Sequence, residues 1–153
     1  MSAGRIRLAL LLMVAQLFIA SNAQAKTCTI TGAAVAFGVY DPAAATADTS
    51  GTLSIHCDGS FSAKLSLGKG AGQGASYAAG RRMTLGGGNA VLIYNLYADA
   101  ARTRVLGDGT PGSVTLTISG NKDKTQAIWA RIPGGQTVPA GTYADTVVAT
   151  ISY

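Results

Sequence analysis

The residue types that could carry out chemistry are few in this chain. His56 is the only histidine, and it adjoins Cys57, so the two could supply a base and a nucleophile, or two metal ligands. The alternating pattern around them predicts a strand over 51–57, however, and neighbouring side chains of a strand point to opposite faces. We therefore expect Cys57 to face inward and His56 outward, where the two cannot act on one substrate.

The acidic residues do not suggest a catalytic site either. All seven are aspartates, and they lie at turns and strand starts, where aspartate bends the backbone. Residues 107–112 have the glycine spacing of a dinucleotide-binding loop, but such a loop must open a helix, and Pro111 and a β-rich segment follow here. We expect a hairpin turn there. The sequence predicts no catalytic, cofactor-binding or metal-binding residues, and hence no enzyme.

The two cysteines are expected to have a structural role. Residues 1–25 combine two arginines, an apolar run and a small-residue end, which is the order of a cleavable secretory signal. The apolar run is too short to span a bilayer comfortably, although an uncleaved anchor is the alternative. The exported domain would then cover residues 26–153. Because exported chains oxidise their thiols, we predict one disulfide, between Cys28 and Cys57.

The charge of the chain gives little support for binding nucleic acid. The formal net charge is +5, and the basic pairs of the exported part could touch an acidic polymer. No recognition helix, pattern of stacking aromatics or zinc-ligand spacing accompanies them. We therefore predict no nucleic-acid partner, and no integral membrane segment after signal cleavage.

Short alternating stretches between glycine-rich breaks predict an all-β domain with almost no helix. We expect about seven antiparallel strands, at 33–40, 51–57, 63–67, 91–98, 113–119, 126–132 and 143–153. A flexible loop is expected over the glycine-rich residues 68–80.

The last predicted strand has one apolar face. That face consists of Val147, Ala149, Ile151 and Tyr153. The sequence ends at this strand, and the predicted exported chain begins just ahead of Cys28, so we expect both edges of the sheet to be bare. An exposed sheet edge must be hidden, closed or paired with another chain.

Motifs along the whole predicted domain have the order of a known family. The chain contains Cys28, Phe37-Gly38-x-Tyr40-Asp41-Pro42, Cys57, Arg82-Met83, Tyr94-Asn-Leu-Tyr97, Asp99-x-x-Arg102-Thr103, Gly107-Asp-Gly109, Arg131-Ile-Pro133, Gln136 and Pro139-Ala-Gly-x-Tyr143-x-Asp145-Thr-Val147. This order resembles the spore coat protein U domain, the fold of subunits in archaic chaperone-usher pili.

The resemblance implies an immunoglobulin-like antiparallel β-sandwich that lacks its last strand. Such a subunit is exported to the periplasm, held there by a strand of a chaperone, and completed at the cell surface by a strand from a neighbouring subunit. Its partners would be a periplasmic chaperone, an outer-membrane usher and other pilus subunits, and it would need no cofactor. The apolar face from Val147 to Tyr153 would border the groove that accepts the strand.

One difference from polymerising subunits concerns the start of the predicted exported chain. Filling a groove takes about ten residues, roughly 33 Å of strand, whereas only Lys26 and Thr27 precede the first cysteine. We therefore expect a subunit that accepts a strand without donating one, at the tip of a pilus or in a minor position. Two alternatives stay open. One is a secreted coat or matrix protein that folds unaided, and the other is an adhesin-like module that binds carbohydrate or surface polymers through Tyr77, Tyr97 and the Arg81–Arg82 region.

Overall fold

The computed structural model describes residues 26–32, 34–43 and 46–153. These residues form strands β1 (Cys28–Thr31), β2 (Ala47–Leu67), β3 (Arg81–Leu85), β4 (Val91–Tyr97), β5 (Leu116–Ile132), β6 (Tyr143–Ala144) and β7 (Ala149–Ser152). The predicted all-β class and the predicted number of strands are confirmed. Within this part of the chain there is no helix that could cross a membrane. The predicted signal, 1–25, lies outside the described residues.

All strand pairs are antiparallel and follow the order β1-β2-β5-β4-β3-β6, with β7 on β2 as well. The long strand β2 pairs with β5 on one edge. On its other edge it pairs with β1 at residues 54–57 and with β7 at residues 64–67. β1 and β7 therefore follow each other along the same edge of β2. The arrangement of these strands as an immunoglobulin-like sandwich stays a prediction.

Two strands of the structure each cover two predicted strands, so the breaks that were predicted within them are wrong. β2 joins the stretches expected at 51–57 and 63–67, and β5 joins those expected at 113–119 and 126–132. The turn-forming residues between them face each other across the β2–β5 ladder, where the register shifts between His56 and Ser60. A β-bulge accommodates such residues without ending the pairing.

The inward faces of the strands form one apolar core. Its buried residues from β2 are Leu53, Ile55, Cys57, Phe61, Ala63, Leu65 and Leu67, and those from β4 are Leu92, Tyr94 and Leu96. The predicted disulfide is confirmed, since Cys28 is bonded to Cys57, its cross-strand partner. His56 faces outward as predicted, with its Nδ1 2.6 Å from the carboxylate of Asp123.

The segment 107–112 turns back on itself, but it is not the predicted β-hairpin. Leu106 and Val114 at its two ends form a parallel bridge. Inside the turn, the carboxylate of Asp108 accepts hydrogen bonds from the backbone N–H and the hydroxyl of Thr110. The aspartate therefore organises a broad loop between β4 and β5.

Two segments predicted as strands are largely unpaired. Residues 34–39 belong to no strand, and the bridge between Tyr40 and Gly141 follows them. The stretch predicted as one strand over 143–153 is divided, because β6 pairs with β3 and β7 pairs with β2. The residues between β6 and β7 cross from the edge of β3 to the edge of β2, where the Gly68 N–H donates to the carbonyl of Val148.

Candidate functional site

An apolar groove of about 770 Å³ opens between these two unpaired segments. Its first wall is made by residues 30–32 and 34–39, and its second wall by residues 142–149. Its floor is the part of the core that lies between them. The residues of the floor are Leu53, Leu67, Met83, Tyr94, Leu96 and Ile128.

Beyond β1, the first wall continues as residues 34–39, which belong to no strand. Among the described residues, none forms a backbone hydrogen bond with 34–39. Val35 and Phe37 are half-buried against the core, while Val39 is 71% exposed. The wall therefore offers both unpaired peptide groups and apolar side chains, which is what an edge strand offers to a partner strand.

The second wall alternates between inward and outward side chains. Tyr143, Asp145, Val147 and Ala149 are half-buried and line the groove, whereas Val148 between them is 68% exposed. This alternation has the period of a strand although the middle of the segment is unpaired. The second wall is therefore also an extended edge with an apolar inner face.

The four residues that the sequence placed on one apolar face are not all in the groove. Val147 and Ala149 line it. Ile151 lies further along β7, where it pairs with Leu65 and packs on the core. Tyr153 is 58% exposed, and its hydroxyl accepts a hydrogen bond of 3.2 Å from the backbone N–H of Cys28.

The two walls are joined where their segments meet. At one end, Tyr40 and Gly141 exchange backbone hydrogen bonds of 3.0 and 3.4 Å. At the far ends of the same segments, the contact between Cys28 and Tyr153 brings the chain together again. The segments that carry the walls are thus fixed at both ends, which holds the opening between them in place.

A polar pair in the groove is made by Tyr94 of the floor and Asp145 of the second wall. The Tyr94 hydroxyl donates a hydrogen bond of 2.8 Å to Asp145 Oδ2. Burial, reinforced by this hydrogen bond, raises the pKa of Tyr94 far above its usual value. The Tyr94 ring also packs edge-on against Phe37 of the first wall, with 6.2 Å between ring centroids. Tyr94 therefore contacts both walls.

Asp145 is the only charged residue among those that line the groove in the described part of the chain. Its Oδ1 accepts hydrogen bonds of 2.8 Å from the backbone N–H groups of Ala71 and Thr146. Ala71 belongs to the glycine-rich loop that was predicted to be flexible. The carboxylate therefore attaches that loop to the second wall.

A second cluster, behind the groove, is polar and closed. Arg81 is fully buried, and its guanidinium donates to Asn95 Oδ1 and to the carbonyls of Leu67, Gly68 and Leu106. Its Cζ lies 5.3 Å from the centroid of the Tyr77 ring. Burial lowers the pKa of Arg81. We call these residues the Arg81 cluster.

The Arg81 cluster contradicts the predicted adhesin-like surface at this place. Tyr77 is buried, with its hydroxyl donating to the Leu67 carbonyl, and Arg81 has no exposed surface. Tyr97 and Arg82 are half-buried. The basic and aromatic residues at 77 and 81 therefore hold the glycine-rich loop and cannot contact a ligand in solvent.

The groove suits the binding of an extended peptide better than catalysis. No group of three or more His, Cys or Asp side chains in the described ranges is placed to hold a metal ion. Sequence reasoning missed the first wall as a groove element and Asp145 as a groove residue. Asp145 lies two residues ahead of Val147, so a period of two could have placed it on the same inner face.

Comparisons with known proteins give matches that agree with one another. The family model for the spore coat protein U domain matches residues 14–150. Protein U of Myxococcus xanthus is 33% identical over 131 residues, which cover 80% of this chain and 73% of that protein.

A solved structure shares the fold. It is a chain of the CsuC–CsuE chaperone–tip adhesion subunit pre-assembly complex from archaic chaperone-usher Csu pili of Acinetobacter baumannii. The TM-score is 0.59 at 19% sequence identity, and the match covers 84% of this chain. The chain spans only 40% of the length of that solved chain.

Proposed function

The chain belongs to the spore coat protein U domain family, and we propose that it is a structural subunit of a surface pilus or fimbria that is completed by a strand from another protein. The family is structural and non-enzymatic, so the chain is not an enzyme. The proposed route is chaperone-usher assembly with donor-strand complementation, a known mode of strand addition.

The observation that carries the proposal is the groove between two unpaired walls. Residues 34–39 and 145–147 make no backbone–backbone hydrogen bond to other described residues, and the floor between them is apolar. A strand laid in the groove would pair with the free backbone groups and cover the floor with alternate side chains. A small apolar ligand could fill the volume, but it would leave the backbone groups of the walls unpaired.

The expected gain in stability is large. Burial of four large apolar side chains of an inserted strand contributes about 6 to 12 kcal/mol, at about 1.5 to 3 kcal/mol each. The total stability of a small domain is about 5 to 15 kcal/mol. The free chain should therefore be marginal and should be stabilised strongly by a suitable strand.

The proposed partners follow from this need for a strand. A periplasmic chaperone would fill the groove first, an outer-membrane usher would receive the complex, and a neighbouring subunit would replace the chaperone strand. The solved relative, a chaperone–tip adhesion subunit complex, supports the chaperone step. The proposal includes removal of residues 1–25 on export to the periplasm, which the mass of the exported protein would test.

The main experiment compares the chain with and without a strand. The full chain, exported into the periplasm of an expression host so that the disulfide can form, is refolded with ten-residue peptides that alternate apolar and polar residues. We expect a rise in unfolding free energy of several kcal/mol, and a peptide with the same composition in scrambled order serves as the control. Equal stability with both peptides would contradict strand acceptance.

The acceptor-only role is a separate prediction. Mixing the purified protein with a second subunit that has an empty groove tests donation, and mixing it with donor peptides tests acceptance. We expect stable complexes in the second mixture only. Efficient filling of the other subunit's groove would show that this chain donates a strand as well.

A coat or matrix protein that folds unaided is the second candidate, and the description of the matching family favours it. A free monomer with a cooperative melt, unchanged by strand peptides, would support this candidate. Aggregation that a strand peptide prevents would support the pilus subunit.

A further inference from the structure

Asp145 is the one charged residue among the described residues that line the groove, and we propose that this charge selects the strand that the groove binds. Asp145 recognises a basic side chain, lysine or arginine, at one position of the incoming strand and thereby fixes the register of that strand. This inference rests on the proposed strand-accepting function.

The position of Asp145 suits such contact. It is half-buried on the inner face of the second wall, between Tyr143 and Val147. Its Oδ1 already accepts two backbone hydrogen bonds, whereas Oδ2 accepts only the one from Tyr94. A carboxylate oxygen has two lone pairs, so Oδ2 has the capacity to accept one more donor.

The carboxylate is also held in place. The hydrogen bonds from Tyr94, Ala71 and Thr146 fix both of its oxygens. Gly70 packs directly against it, and any side chain at that position, where φ is +91°, would collide with the carboxylate. A group that is positioned before binding loses little conformational freedom when its partner arrives.

The side chain that faces Asp145 therefore matters to affinity. An apolar side chain there would remove water from the carboxylate without offering a hydrogen bond in exchange, which is unfavourable. An acidic side chain would be repelled. An ammonium or guanidinium group would form a charge-assisted hydrogen bond, the stronger kind.

A charge in the groove also removes an ambiguity of strand pairing. Because side chains alternate with a period of two, a strand that slips by two residues keeps its apolar side chains in the groove. The apolar pattern alone therefore leaves several registers nearly equal. A single polar position can select one of them, as a buried polar residue does in coiled coils.

The test scans one lysine along the apolar positions of a ten-residue strand peptide. Each peptide is bound to the full chain, to Asp145→Asn, and to Asp123→Asn as a matched control outside the groove. We expect one lysine position to bind about tenfold more tightly than the other lysine positions. Asp145→Asn should remove that preference while still binding the all-apolar parent peptide, and Asp123→Asn should keep it.

The outcomes separate this inference from the function on which it rests. If the parent peptide does not bind, the proposed function fails and the inference fails with it. If the parent binds but the lysine positions are equivalent, or if Asp145→Asn keeps the preference, only the role of Asp145 is wrong.

Discussion

The Arg81 cluster and the groove lie close together but differ in whether their polar groups have hydrogen-bond partners within the chain. In the cluster, a fully buried guanidinium donates to four oxygens, and nothing is left for a partner to supply. In the groove, residues 34–39 of the first wall have no backbone–backbone hydrogen bond to other described residues. Since Leu67 contributes to both, the open groove is not a sign of a loosely packed protein. It is a local vacancy beside a tightly satisfied cluster.

The largest expected effect comes from the closed side of this comparison. Arg81→Met would leave several buried acceptors without a donor, and we expect a loss of about 3 to 5 kcal/mol in unfolding free energy. The unfolding free energy of Arg81→Lys should lie between those of the parent and Arg81→Met, because an ammonium group cannot reach all four oxygens. Denaturant unfolding of the strand-bound protein measures the loss, while strand affinity of the folded protein should change little. If Arg81→Met left the stability unchanged but abolished strand binding, Arg81 would belong to the binding site and not to a separate structural cluster.

The disulfide should contribute equally to the free and strand-bound proteins. Cys28 and Cys57 are 29 residues apart, and closing a loop of about 30 residues is worth about 3.6 kcal/mol in the chain-entropy estimate. Replacing both by alanine should lower the unfolding free energy by about that amount in both states. The check is unfolding with and without a strand peptide. A loss confined to the bound state would show that the bond belongs to the groove.

Phe37→Ala should destabilise the strand-bound protein more than the free protein. Phe37 is half-buried in the open groove and would become fully buried under a strand. We expect the strand-bound protein to lose about 2 kcal/mol more than the free protein. Val148→Ala, on the outer side of the second wall, is the matched control and should affect both states little. Equal losses for the free and bound Phe37→Ala proteins would mean that no strand covers this side chain.

The smallest effect is expected at the ion pair of Asp48 and Arg131, away from both regions. Their two hydrogen bonds are 2.7 and 2.8 Å long, and the bond from Arg131 lowers the pKa of Asp48. Because the folded pKa is depressed, the contribution exists above the usual pKa of the carboxyl and is lost as pH falls through the folded pKa. Asp48→Asn should therefore be slightly destabilising near neutral pH and equal to the parent in strong acid. Unfolding curves measured across pH check this. A stability difference between Asp48→Asn and the parent that persists in strong acid would show that the ion pair is not its cause.

The strands with strict alternation could be predicted from the sequence, and the places where strands join could not. Leu92, Tyr94 and Leu96 lie inward as their spacing indicates. Asp58-Gly59 and Gly120-Asn121 are turn formers locally, but they lie within β2 and β5, where residues 57–59 oppose Lys122 at the register shift. Only tertiary pairing decides between a turn and a bulge, so a local pattern divides these strands wrongly.

The candidate site could also be predicted only in part, because a local pattern does not show tertiary pairing. Val147 and Ala149 were placed on an inner face by their alternation, and they line the groove. The first wall looked like an ordinary strand, because local spacing cannot show that its partner is absent. Arg81 looked like a surface cation, because charged residues are rarely buried. Its burial depends on backbone carbonyls at 67–68 and 106 and on the side chain of Asn95, which no local pattern reveals.

Whether residues 34–39 stay unpaired until a strand enters the groove is best measured by amide hydrogen exchange. The account predicts fast exchange of these amides in the free protein and strong protection once a strand peptide saturates the groove. The amides of Ile55 and Leu65, in the middle of β2, should be protected in both states and report that the domain is folded. Protection of 34–39 at the level of β2 in the free monomer, or no gain on strand binding, would contradict the account.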